Sequence, residues 1–293
     1  MSRDKLGSRE IPELQYHDIG DVQLPYLYYE GESPDILFAH ATGFLPWLWH
    51  PIIEELTPHR RSWAPYICNY RNCDPETGGL PWDVIARDII SFCSSQNIAR
   101  HLAVGHSMGA TVLTIASALF GLQPCGMILI EPIFLPEEFY AMDIKLKDHP
   151  LAAQSIKRKN SWKDESSALA YLKSKSLFAG WDERMLQFYI QYGMQKQAEG
   201  ELKLTCAPRS EAALFMGGKS TNPWPLLKEL TCPVLIVEGE KSTNKEFIDL
   251  KKAAALLKKG RYTSVSEAGH LIPMEKPKEI AKIIKDFMKE SFQ

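Results

Sequence analysis

The pentapeptide Gly105-His106-Ser107-Met108-Gly109 constrains this chain more than any other stretch. It follows an apolar run at 100–104, Arg-His-Leu-Ala-Val, long enough for a buried strand. It precedes residues 110–119, Ala-Thr-Val-Leu-Thr-Ile-Ala-Ser-Ala-Leu, which read as a helix packed through small side chains. Strand, G-x-S-x-G and helix together specify a nucleophile elbow, a turn so tight that both flanking positions need glycine. The elbow presents the Ser107 hydroxyl at the C-terminal end of the strand. It also puts the Met108 N–H at a helix N-terminus, where unpaired amide hydrogens favour negative charge.

The remaining apolar runs alternate with helical patterns. Strand-like runs fall at 36–39, 62–67, 102–104, 127–130, 234–237 and 262–265, and residues 16–29 read as an antiparallel hairpin at a sheet edge. Helical periodicity covers 82–97, 110–120, 244–257 and 278–291. This alternation predicts an α/β fold, a mostly parallel sheet with helices on both faces. It breaks between about 135 and 225, where helical patches appear and no strand-like run does. The expected organisation is therefore a core of 1–134 and 226–293 carrying a helical lid at 135–225. The lid aromatics Trp162, Phe178, Trp181, Phe188, Tyr189, Tyr192 and Phe215 either line an acyl pocket or hold the lid on the core, and packing is the default for any one of them.

A chain of 293 residues with a formal charge of −2 can bury one large core and has no basic excess to attract nucleic acid or an anionic membrane. No 18-residue apolar stretch could span a bilayer. Residues 1–5 run into polar sequence without an apolar signal core, which argues against secretion. The cysteines Cys68, Cys73, Cys93, Cys125, Cys206 and Cys232 lack the spacing of a disulfide scaffold, and a zinc site at Cys68 and Cys73 would need further ligands. They read as buried free thiols in a cytoplasmic protein, and neither metal nor organic cofactor is expected.

With the elbow in place, nearly all of the chain outside the lid resembles the α/β-hydrolase superfamily. Residues 36–49, containing His40-Ala41-Thr42-Gly43-Phe44, resemble the family's oxyanion loop, which implies that the Thr42 N–H joins that of Met108 as an oxyanion donor. Residues 267–277, Glu-Ala-Gly-His-Leu-Ile-Pro-Met-Glu-Lys-Pro, resemble the segment bearing the catalytic histidine, which implies that His270 is the base for Ser107. His106, inside the elbow, is expected to pack beneath it.

The triad acid departs from the family pattern. The resemblance places it in the loop after the seventh strand, where Glu238-Gly239-Glu240-Lys241-Ser242 puts serine at the expected position. Serine cannot carry the charge that steadies an imidazolium. Some relatives, including a subset of haloalkane dehalogenases, place a Glu after the sixth strand instead. Glu131, between Ile130 and Pro132 where a buried strand ends, fits that placement and is costly there without a partner. Glu240 is the next candidate and Asp249 a distant third. A second departure is 66–74, which lacks the glycines of the family's turn and is expected to hold Asn69 or Asn72 in a left-handed conformation.

The chain therefore reads as a serine hydrolase of a hydrophobic ester or related acyl substrate, with Ser107, His270 and Glu131 as triad. The same triad could serve carbon–carbon, thioester or perhydrolase chemistry, and a non-catalytic ligand-binding member of the fold is a third class. Carboxylate-nucleophile chemistry is disfavoured by Ser107 itself. Lids in this superfamily contribute to dimer contacts, so a homodimer is compatible with the resemblance.

Overall fold

The apolar runs become strands of one eight-stranded sheet in the computed structural model, which describes residues 9–291. The reading of residues 1–5 lies outside the described residues. In chain order the first half contains β1 (Gln15–Asp18), β2 (Gln23–Tyr29), β3 (Glu32–Ala39), α1 (His50–Ile53), β4 (Arg60–Pro65) and α2 (Trp82–Ser95). β5 (His101–His106), α3 (Met108–Leu119) and β6 (Gly126–Ile130) follow. An insert then supplies α4 (Glu137–Ala141), α5 (Pro150–Ile156), α6 (Glu165–Lys173), α7 (Glu183–Gly193), β7 (Met194–Lys196), β8 (Leu202–Leu204) and α8 (Pro208–Gly217). The chain returns through β9 (Val234–Gly239), α9 (Leu250–Leu256), β10 (Gly260–Val265), α10 (Ile272–Glu275) and α11 (Pro277–Ser291).

Strand order across the sheet is β1-β2-β4-β3-β5-β6-β9-β10. β1 and β2 form the expected antiparallel edge hairpin, β2 joins β4 antiparallel, and every pairing from β4 to β10 is parallel. All residues of β5 and β6 are buried, as strands covered on both faces must be. From β3 the chain crosses first to β4 on one side and later to β5 on the other. The loops after β3 and β5 therefore part at a switch point, where an open α/β sheet leaves a crevice at its carboxyl end. Ser107 lies at that crevice.

Three local expectations are corrected. The stretch read as free of strands holds the β7–β8 hairpin, whose three-residue strands are too short to show alternation. The helix expected over 244–257 is a 3-10 turn at Thr243–Glu246 followed by α9, because the Asp249 side chain accepts from Lys252 N–H and starts a new helix there. The cysteines are not all free. Cys68 and Cys206 are joined in a disulfide across 138 residues of sequence, while Cys73, Cys93, Cys125 and Cys232 remain thiols. No spacing rule could have paired partners brought together only by the insert's return to the core.

The segment at 66–74 does use a left-handed asparagine, Asn69 at φ 59°. Arg71 then fixes it with paired contacts to Asp88 (2.6 and 2.7 Å) and Asp21 (both 2.8 Å). The insert is fastened on two sides. Phe188 stacks on His50 and Tyr192 on Trp47, so these aromatics bind the insert to the core. On the other side α8 is bound by the disulfide, by Trp82 Nε1–H to the Leu214 carbonyl (2.8 Å) and by Leu80 N–H to the Ala213 carbonyl (2.9 Å).

Candidate active site

Ser107 stands between β5 and α3 at φ 54° and ψ −119°, outside the basins that L-residues prefer. Such strain costs about 1–3 kcal/mol and persists only where surroundings enforce it. Here the Ser107 N–H donates to the Ile130 carbonyl (2.9 Å), and the flanking glycines admit no side chain. A Cβ on Gly105 would come 2.5 Å from Ala110 Cα, and one on Gly109 would overlap the Ala39 carbonyl. The start of α3 is thereby pressed against the end of β3, close in sequence to the buried Thr42. Met108 opens α3, so its N–H has no acceptor one turn back in the helix.

His270 reaches both neighbours. Its Nε2 is 3.1 Å from Ser107 Oγ and its Nδ1 is 3.0 Å from Glu131 Oε2. Glu131 follows β6 directly, at φ 49° and 1% exposed. A buried carboxylate needs its lone pairs filled. Oε1 accepts from Gly239 N–H (2.7 Å), and Oε2 accepts from the Ser242 hydroxyl (2.8 Å) as well as from His270. β6 and β9 are adjacent, and the Glu131 N–H donates to the Val237 carbonyl (2.8 Å), so the longer side chain spans from the nearer strand to the histidine. Thr111 secures the turn beyond it, exchanging hydrogen bonds with both the N–H and the carbonyl of Ile133.

The other acid candidates lie elsewhere. Glu240 is exposed and accepts from Ser266 Oγ (2.8 Å) and Glu267 N–H (2.9 Å), with the Glu267 N–H foremost in holding its carboxyl below the usual range. Asp249 caps α9.

Two surrounding histidines are structural. His106 Nε2–H donates to the His270 carbonyl (2.9 Å), and burial, aided by the nearby His270, pushes its imidazole down to about 3. It stays neutral and adds no charge beside His270. His40 accepts the Ile67 N–H at Nε2 (3.0 Å) and is pushed down to about 4 by burial, which ties the loop after β3 to the segment after β4.

Sequence reasoning passed over two residues at the histidine. Ser242 stood out only as a missing acid, and nothing in the sequence marked it as a donor to Glu131. Asn244 Nδ2 lies 2.9 Å from His270 Nδ1, and with Nδ1–H directed at Glu131 the amide turns its oxygen to the ring instead. Two residues beyond Thr42, Phe44 of the loop after β3 meets Trp181 and Tyr189 of the insert at ring-centroid distances of 5.5 and 6.0 Å. Among the described residues no group of His, Cys, Asp and Glu is arranged to hold a metal ion.

Comparison with known proteins agrees with this architecture. The chain is 25% identical over 224 residues to the abhydrolase domain-containing protein AFT2-1 of Alternaria alternata, spanning 64% of this chain and 83% of that protein. Among solved structures, E-2-(acetamidomethylene)succinate hydrolase superposes with a TM-score of 0.79 at 21% identity, covering 94% of this chain and 99% of the other. The peroxisomal alpha-beta-hydrolase Lpx1 of Saccharomyces cerevisiae gives 0.72 at 18% identity over 97% of this chain and 87% of its own. The model of the alpha/beta hydrolase family matches residues 36–283, from β3 into the last helix, and the chain belongs to that family.

Proposed function

We propose that the protein is a serine hydrolase that cleaves a carboxylic ester or related acyl substrate through an acyl-enzyme on Ser107. The observation that carries this reading is the unbroken relay Ser107 Oγ, His270 Nε2, His270 Nδ1, Glu131 Oε2, with steps of 3.1 and 3.0 Å across the ring. His270 takes the hydroxyl proton as Oγ attacks the acyl carbon, then delivers it to the leaving group. Water, deprotonated by the same nitrogen, attacks the acyl-enzyme and regenerates Ser107. Glu131 fixes the Nδ1–H tautomer and steadies the imidazolium, while the N–H groups of Thr42 and Met108 receive the oxyanion, each worth about 3 kcal/mol of barrier.

The insert at 135–225 serves as the lid in this reading. Phe44, Trp181 and Tyr189 make an aromatic cluster at the loop that carries Thr42, which suits a hydrophobic acyl or aryl group. No described helix is long and apolar enough to cross a membrane, and a small-molecule substrate suits the fold. A thioester or carbon–carbon substrate would use the same atoms and is distinguished by turnover alone.

A fluorophosphonate probe is expected to label the wild-type chain and spare Ser107→Ala. A panel of p-nitrophenyl esters graded by acyl length is expected to show Ser107-dependent release. Equal labelling of both proteins, or ester release that survives the substitution, rejects the assignment.

A further inference from the structure

A buried carboxylate of the insert lies against the loop that follows β3. Glu211, in the first turn of α8, is 8% exposed. Its carboxyl fills the notch left by Gly43: a Cβ there would overlap Oε1 and come within 2.9 Å of Cδ and 3.0 Å of Cγ. Gly43, at φ 75°, directly follows Thr42. The disulfide at Cys206 and the backbone bond from Leu80 to Ala213 hold α8 in this place. Glu211 Oε2 is paired with the Arg158 guanidinium at 2.6 Å, and the same guanidinium donates to the Tyr189 hydroxyl at 3.3 Å.

Negative charge beside an oxyanion loop opposes the step that loop serves. Charge develops on the acyl oxygen as Oγ attacks, and a lone carboxylate packed on Gly43, the residue after Thr42, would repel it. Arg158 removes that penalty. We propose that Arg158 cancels the charge of Glu211, so that the 42–44 loop presents a neutral surround to the tetrahedral intermediate. Arg158 acts through Glu211 and not on the reacting atoms, and the pair ties lid placement to oxyanion stabilisation. This inference rests on the serine-hydrolase reading above.

The sign of each substitution separates this role from plain packing. The test uses the full chain, with kcat and KM on a p-nitrophenyl ester and inhibition by benzeneboronic acid, which forms a tetrahedral anion on the serine. Arg158→Met leaves the carboxylate bare, and kcat is expected to fall about 10–100-fold with KM within about threefold of wild type. Boronate affinity should fall in parallel. Glu211→Gln removes the repulsion, so kcat per folded molecule stays within about threefold of wild type even though the unpaired arginine lowers thermal stability. Arg158→Met/Glu211→Gln is expected to return to the level of Glu211→Gln. A loss in Glu211→Gln as deep as in Arg158→Met, or a double variant no better than Arg158→Met, overturns the proposal. Glu211→Gln decides alone if Arg158→Met does not fold, since a fall in kcat beyond about tenfold there is the packing result. Fluorophosphonate labelling of the wild type tests the underlying reading separately. Its absence removes that reading and this one together, whereas labelling with the wrong pattern of signs removes only this one.

Discussion

The Ser242 hydroxyl donates to Glu131 Oε2 across 2.8 Å, at the same oxygen that lies 3.0 Å from His270 Nδ1. The family's usual acid position thus touches Glu131, the carboxylate proposed as the triad acid. An aspartate at 242 would set a carboxylate within reach of the same imidazole. Glu131→Gln is expected to lower kcat about 10²–10⁴-fold, because the imidazolium loses its counter-charge. Adding Ser242→Asp should recover at least about tenfold of that loss, with the amide introduced at position 131 donating to the new carboxylate. Ser242→Ala alone should cost no more than about 100-fold, the worth of one hydrogen bond to a charged group. A Glu131→Gln/Ser242→Asp enzyme no faster than Glu131→Gln would show that the two positions are not interchangeable.

Stability is expected to fall steeply in acid, and the sign follows from the buried histidines. Burial pushes His40 and His50 down to about 4 and His106 down to about 3. Their unfolded forms bind a proton near pH 6.5 while the folded forms do not. The unfolded state therefore holds more protons below that pH, and stability decreases as pH falls from about 6.5 toward the folded values. The dependence is steepest between roughly pH 5.5 and 4.5, where the unfolded imidazoles are charged and the folded ones are not. Urea midpoints at about pH 7.5 and about pH 4.5 check this directly, and equal midpoints would contradict it.

What the chain disclosed before folding depended on how local the information was. Ser107 was legible because the elbow is written in consecutive residues, with a strand before and a helix after. His270 was legible for a similar reason, through the motif between the last strand and the terminal helix. Glu131 could be inferred because a carboxylate at the end of a run like Met127-Ile128-Leu129-Ile130 has nowhere inexpensive to go. The Ser242–Glu131 and Asn244–His270 contacts were hidden, since hydroxyl and amide side chains in a loop have no periodicity and many alternative roles. The insert was the least readable part. Its short helices and three-residue strands are set by docking onto Trp47, His50 and Trp82, partners far away in sequence, so neither the Gly43–Glu211 contact nor the disulfide left a local trace.

That disulfide yields a count and a free energy. After aerobic purification and denaturation without reductant, iodoacetamide should label Cys73, Cys93, Cys125 and Cys232, and all six cysteines should react once reductant is added. Cys68→Ser/Cys206→Ser is expected to lose about 2–5 kcal/mol in urea unfolding, because the bridge closes a long loop and its removal frees the unfolded chain. Labelling at all six positions before reduction would refute the pairing.

The two glycines at the crevice should respond differently to a single added methyl group. In Gly109→Ala the new Cβ meets backbone: it overlaps the Ala39 carbonyl and lies 2.7 Å from the His40 carbonyl oxygen. Neither can turn away, so β3 and α3 must separate, and the expected cost exceeds about 3 kcal/mol, beyond the ordinary range for overpacking. In Gly43→Ala the Cβ meets the Glu211 side chain, whose end can rotate. There the left-handed φ of 75° contributes about 1–2 kcal/mol, and the carboxyl can turn aside while it stays within reach of Arg158. Gly109→Ala should therefore unfold at lower urea than Gly43→Ala. Fluorophosphonate labelling adds a second axis. Gly43→Ala, folded but with its 42–44 loop disturbed, should label more slowly than its stability alone would suggest. If Gly43→Ala unfolds first, the contact at the β3–α3 junction is softer than its backbone geometry implies.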